Sequence, residues 1–305
     1  MMKTFKQLAL IIFVTAFAAQ AAASLIAHDS FLTGGSDYTV GSTTTLSGQG
    51  PAVAGFTGNW SLTGDTSANS VNTRLNATSL TLNGYGSGGA VESYRNGTGG
   101  GGEYLNHREF ASAPQIVAGE SLYFSALVNV KSGYYAGVGM RFEKRGQFGV
   151  GFNASGQAGV WSNGPNEDDR ASISFLNTTV GSYSADTTYL LVGKMDAVAS
   201  GSSTNSETIT LVGVYGVGDT ISEGSLLTTT ADVYFSEDDV PGNFTGQTLK
   251  NASMIFPKSD DGVIATVDEI RYGTDFDSVT PIPEPGTLAL VGITLLVLIG
   301  FRRRK

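Results

Sequence analysis

The chain has two histidines, His28 and His107. A serine nucleophile needs such an imidazole as base, with a third group to orient it. Neither histidine lies near a Gly-x-Ser-x-Gly turn, the arrangement that exposes a hydrolase serine. Both therefore read as surface or strand-edge residues. Cysteine is absent, which removes thiolate nucleophiles, thiolate metal sites and disulfides together. Carboxylates cluster at Glu167-Asp168-Asp169, Glu237-Asp238-Asp239 and Asp260-Asp261-Gly262. Cleaving a glycosidic bond takes two carboxyl groups facing each other across it, whereas consecutive residues of a strand point to opposite faces. The first two clusters adjoin Pro165 and Pro241 and read as loops, and no Glu-x-Asp-x-x-Glu strand is present. Loop carboxylates can hold calcium, which takes clustered oxygen ligands. Asp260 and Asp261 are the candidate ligands, set against the plainer reading of a solvated acidic turn, and no other cofactor is expected.

Glycine runs at Gly86-Ser87-Gly88-Gly89 and from Gly97 to Gly102 lack the Gly-Lys-Ser/Thr ending and following helix of a phosphate loop. They read as hairpin tips. Trp60, Tyr85, Tyr94, Tyr104, Tyr134, Tyr135 and Trp161 are candidates for stacking on sugar rings, with half or more expected to pack in the core or at strand edges.

The elements that must position these residues are strands. Leu122, Phe124, Ala126, Val128 and Val130 fall on one face, with Tyr123, Ser125 and Asn129 opposite. Val138, Met140 and Phe142 repeat the alternation, as do Val150 with Phe152, Ile173 with Phe175, and Ile209 with Leu211. A period of two between turn residues predicts antiparallel strands. The segment from Ser24 to Gly55 reads as the first strands, and no stretch of the body shows a capped helical stripe. With 41 glycines and 15% charged residues, the expected class is all-β: a two-sheet antiparallel β-sandwich, or jelly roll.

Both ends are different. Lys3 and Lys6 precede an apolar run from Leu8 to Ala19, and Ala21 and Ala23 form an A-x-A site, so residues 1–23 read as a signal peptide cut by signal peptidase after Ala23. At the other end Pro283-Glu284-Pro285 precedes an uncharged stretch over 286–301, then Arg302, Arg303, Arg304 and Lys305. Sixteen helical residues span ~24 Å, somewhat short of a ~30 Å hydrocarbon core, and the four cations obey the positive-inside rule. One C-terminal transmembrane helix is expected, with residues 24–280 outside the cytoplasmic membrane. Of 18 basic residues six lie in these ends, against Glu284 alone of 27 acids, leaving a body of 26 acids and 12 bases. That field repels nucleic acid, which is excluded as a partner.

The tripartite end over Pro281 to Lys305 resembles the PEP-CTERM sorting signal of Gram-negative bacteria. The resemblance implies processing by an exosortase, a membrane-embedded transpeptidase, and a place at the outer cell surface alongside exopolysaccharide and biofilm. The segments from Thr188 to Asp196 and from Thr266 to Thr274 resemble late strands of concanavalin A-like, laminin-G-like jelly rolls, whose Asp-Glu-Ile-Arg strand closes the sandwich. For Asp268 and Glu269 the expected role is a polar pair tying Arg271 or loop backbone. The expected function is a structural or adhesive component of the cell surface or exopolysaccharide matrix, possessing a glycan-binding sandwich and not an enzyme. The alternative is a secreted glycan hydrolase or lyase on the same fold.

Overall fold

The computed structural model describes residues 25–32, 38–41, 45–64, 73–86, 88–94, 103–114, 117, 119–142, 147–163, 173–176, 183–196, 208–231, 248–257 and 262–280. In chain order the strands are β1 (Leu25–Asp29), β2 (Phe56–Gly64), β3 (Thr73–Asn76), β4 (Ala90–Ser93), β5 (Glu103–Phe110), β6 (Ser121–Val130), β7 (Ala136–Phe142) and β8 (Gln147–Phe152). They continue with β9 (Ala158–Asn163), β10 (Ile173–Leu176), β11 (Thr188–Asp196), β12 (Thr208–Tyr215), β13 (Leu227–Ala231), β14 (Leu249–Pro257) and β15 (Ala265–Gly273). A single helical turn, α1 (Phe276–Val279), follows.

The first sheet runs β13-β12-β11-β6-β15-β4-β3, with β1 also paired to β15; the second runs β10-β9-β8-β7-β14-β5-β2. Every pairing is antiparallel. The all-β sandwich expected from the alternation is the observed fold. Leu122, Phe124, Ala126, Val128 and Val130 of β6 face Val138, Met140, Phe148, Val150 and Phe152 of β7 and β8 in one core. Among the described residues of the segment from Ser24 to Gly55, β1 is the one regular strand, while Thr45 makes an isolated bridge to Arg74.

Polar ties cross this core. The Asp29 carboxylate on β1 accepts from Arg108 on β5 at 2.8 Å, from the Tyr38 hydroxyl at 2.5 Å and from the Trp60 indole at 3.3 Å. Its other oxygen accepts from Phe31 N at 3.0 Å, which turns the chain with Phe31 at a φ of 49°. Asp29 and Arg108 are 0% and 1% exposed, and burial beside Asp29 pushes the Tyr38 hydroxyl well above the ordinary tyrosine range. Elsewhere Thr73 on β3 donates to Asn106 on β5, and Tyr272 on β15 donates to the Gly139 carbonyl on β7. Apolar contact is non-directional, so these bonds fix how one sheet sits on the other.

A buried pair is costly to break because the orphaned charge stays dehydrated, whereas replacing both members by apolar groups is far milder. Arg108→Met is expected to lower unfolding free energy by roughly 3–5 kcal/mol, read by urea titration. Adding Asp29→Leu should recover part of that loss; a single variant as stable as the parent would contradict the role given to the pair.

Candidate functional site

On the second sheet, register aligns residues into rows across the strands. Glu109, Asn251, Arg141, Gln147 and Asn163 are successive cross-strand partners. The next row is His107, Ser253, Gly139, Gly149, Trp161 and Phe175. The third is Leu105, Ile255, Gly137, Gly151 and Gly159. The face thus changes from polar to apolar in the space of three rows.

The apolar part is built on glycine. Cβ atoms at Gly137, Gly139 and Gly149 would each stand 2.7 Å from the Trp161 ring. Two Gly-Val-Gly tripeptides, 137–139 and 149–151, turn their valines into the core and leave a bare backbone outside. The indole of Trp161 lies on it, donates to the Val150 carbonyl at 3.2 Å and is fully buried with Leu105 and Ile255. Tyr135 and Phe175 pack against that cluster.

The polar part holds groups with unmet hydrogen-bonding capacity. His107 is 1% exposed, and its Nδ1 pairs with Ser253 Oγ at 2.9 Å. Its Nε2, like Asn251 Oδ1 and Gln147 Oε1, is buried without a partner. Burial first, and then the Arg141 charge, push the His107 imidazole down to about 3, so it is neutral at physiological pH. The expectation of a surface or edge histidine is corrected here: β5 is interior to its sheet, between β14 and β2.

His28 lies at a different place, half-buried on β1, with its Nε2 2.6 Å from Glu269 Oε2. Glu269 also accepts from Arg271 at 3.1 Å. Asp268 accepts from the Leu80 backbone N–H at 2.9 Å and lies 2.5 Å from Ser79 Oγ. The pair therefore ties Arg271 and loop backbone. Glu269, at a φ of 50°, marks a bulge where β15 passes from β4 to β1 as its neighbour. Ser79 has one hydroxyl hydrogen and a second bond, to the Leu80 carbonyl at 3.0 Å, so a protonated Asp268 completes both. Burial pushes the Asp268 carboxyl up to about 8.

Among the described side chains, the sugar-stacking candidates do not form an exposed platform. Trp60 and Trp161 are buried in different clusters, Tyr85 packs on the outer face of the first sheet, and Tyr94 carries the Arg74 guanidinium 3.9 Å above its ring. Tyr134 packs against the main core, and the Tyr104 side chain is outside the described set. Asp260 and Asp261, the clusters at 167–169 and 237–239, Ala21, Ala23, Pro283, Glu284, Pro285 and the tail Arg302 to Lys305 lie outside the described residues. Among the described residues no group of three or more His, Asp or Glu can hold a metal ion, and no helix is long and apolar enough to cross a membrane.

The family described as PEP-CTERM protein-sorting motif matches residues 281–305. The chain therefore carries the sorting signal of an exported protein, processed by an exosortase and held by its C-terminus at the membrane beforehand. No curated protein sequence matches the chain. Among solved structures the sandwich is similar to alginate lyase vAL-1 from Chlorella virus, at 9% identity and a TM-score of 0.40, over 68% of this chain and 93% of that one. It is also similar to a beta-1,3-glucanase from Mycobacterium marinum, at 11% and 0.37, over 81% and 98%. Lectin II from Ulex europaeus gives 8% and 0.32, over 67% and 93%. Such values speak to general architecture alone. The expectation that the chain is not an enzyme is corrected here, since the solved structures it is similar to include an alginate lyase and a beta-1,3-glucanase.

Two tests follow from the packing. At Gly149 an added Cβ would stand 2.1 Å from the Val138 carbonyl and 2.6 Å from Gly139 Cα, so Gly149→Ala should cost on the order of 1–3 kcal/mol and alter Trp161 fluorescence. Gly224→Ala, at an open position, should do neither. For Asp268 the folded carboxyl keeps its proton up to about 8, against 3.8 in the ordinary case. Folding thus favours the protonated form, and stability present at acid pH is lost as pH rises through that interval. Asp268→Asn should flatten the decline in thermal midpoint between about pH 4 and pH 8; parallel pH profiles would contradict this.

Proposed function

We propose that the protein is a cell-surface or exopolysaccharide-matrix component that engages glycan through the outer face of its second sheet. On this reading signal peptidase removes residues 1–23 after Ala23, residues 24–280 form a sandwich of the laminin-G-like kind, and exosortase acts near Pro283-Glu284-Pro285. Residues 286–301 are the transmembrane helix, stopped by Arg302, Arg303, Arg304 and Lys305. Calcium at Asp260 and Asp261 is a subsidiary proposal, checked by whether EDTA lowers the thermal midpoint.

The observation that carries the glycan reading is the grouping of His107 Nε2, Asn251 Oδ1 and Gln147 Oε1 on one face, all buried and all without partners. An unmet buried polar atom costs about 1–3 kcal/mol. Each atom is closed to solvent, so a ligand hydroxyl reaches it when the side chains covering it move aside, and three unmet atoms on one sheet face favour that exchange. A polyol carries such groups densely, with hydroxyls that both donate and accept. The acidic body is compatible with a neutral glycan.

Affinity electrophoresis through gels containing the host's own exopolysaccharide tests this directly. The parent protein should be retarded. Asn251→Leu and Gln147→Leu should lose that retardation while keeping or raising the unfolding midpoint, since they remove unmet polar atoms. Unchanged retardation in both would overturn the reading. Reducing ends and unsaturated products measured in the same samples report turnover.

Sorting is tested separately. Replacing Pro283, Glu284 and Pro285 by alanine should leave an uncleaved, membrane-retained chain in an exosortase-bearing host. Normal delivery of the mature form to the surface would contradict the motif's role.

A further inference from the structure

The folded body ends where the sorting signal begins. Asp275 caps α1 through Ser278 N at 2.8 Å, and Thr280 bonds back to the Phe276 carbonyl through its N–H at 3.0 Å and its hydroxyl at 2.7 Å. Ser125 donates to the Val279 carbonyl. Phe276 and Val279 are buried with Leu127, Leu190, Val192 and Tyr215, and Thr280 is 1% exposed. Residue 281 opens the sorting motif.

The exit point is also central. Ser125 sits midway along β6, and β6 lies inside the first sheet between β11 and β15. The chain therefore leaves the body near the middle of the first sheet's outer face. From Thr280 to Gly286, where the uncharged stretch begins, six residues reach at most ~20 Å. A sheet with seven strands in its main path is roughly 34 Å wide, and its partner lies ~10 Å behind it. Passing from mid-face to the sheet edge and then past the second sheet takes more than about 25 Å, beyond the tether's reach.

We infer that, before processing, the outer face of the first sheet is the one turned toward the bilayer and the processing enzyme, and the outer face of the second sheet is kept away from the membrane. The inference rests on residues 281–305 anchoring the chain and is independent of the glycan reading. The partner is the outer leaflet that holds this chain, together with an enzyme able to work within ~14 Å of a folded domain. Headgroup affinity plays no part: the acidic body offers none, and the short tether alone sets the orientation.

The absence of cysteine makes single-cysteine labelling clean. Gly224→Cys lies on the first sheet's outer side, next to Glu223, whose carboxylate bonds Tyr123 and Lys194; its own position is exposed and open. Glu109→Cys lies exposed on the second sheet's outer face. Full-length unprocessed protein carrying a fluorophore at either site is reconstituted in phosphatidylcholine vesicles containing a headgroup-nitroxide lipid. Flotation reports anchoring, and quenching reports proximity. Quenching should be several-fold stronger at Gly224→Cys. A Gly/Ser insert of about 20 residues after Thr280, with a coil span of ~25 Å, should erase the difference. Vesicle association with equal or reversed quenching overturns the orientation; failure to float with the vesicles overturns the anchoring on which it rests.

Discussion

A fully buried carboxylate–guanidinium pair, Asp29 with Arg108, couples the two sheets at one end of the sandwich. Apolar packing alone would leave the sheets able to slide, since it rewards area and not direction. The pair cannot slide. Each charge has lost its water, so every alternative alignment leaves one of them stranded. Tyr38 and Trp60 complete the arrangement: the Tyr38 hydroxyl donates to Asp29 while accepting from Trp60 and Arg108. Thr73 with Asn106 and Tyr272 with the Gly139 carbonyl repeat the device elsewhere in the interface.

Once the sheets are locked, their outer faces are free to diverge. That of the first sheet is closed by the turn at Leu82 to Tyr85, by Leu226 and by α1, which seal Tyr123, Leu127, Leu190 and Val192. That of the second sheet is unequal across its width. Gly137, Gly139 and Gly149 hold Trp161 on one side, and Asn251, Gln147 and His107 keep unmet polar atoms on the other. The first face carries the chain toward its C-terminal signal, and the second carries the polar chemistry. On the proposed reading, one fold thereby separates attachment from recognition.

Much of this was legible in the residues. The alternation of β6 is legible in the residues, because inward and outward side chains leave a period-two trace, whereas the strand from Thr188 to Asp196 is marked by its resemblance to a late jelly-roll strand. The two Gly-Val-Gly tripeptides take their meaning from Trp161 lying opposite, which only register reveals. Bulges defeat simple alternation. Strict counting from Val267 would turn Glu269 and Arg271 inward, whereas the extra residue at Asp268–Glu269 re-phases the strand so that Ile270 and Tyr272 enter the core. Asp29 and Arg108 carried no local signal, being ordinary polar residues 79 positions apart. His107 was misplaced because a buried imidazole and an exposed one look alike in sequence. The exclusion of catalysis failed for a different reason: absent motifs speak only to the mechanisms that use them.

The central claim is that this acidic sandwich is made for display outside the cell and is trimmed at both ends on the way. Intact-mass spectrometry of protein recovered from the outer surface addresses it in one measurement. The account predicts a chain beginning at Ser24 and lacking the basic residues Arg302 to Lys305. A surface form retaining both Met1 and Lys305, or a full-length chain found only in the cytosol, would contradict it.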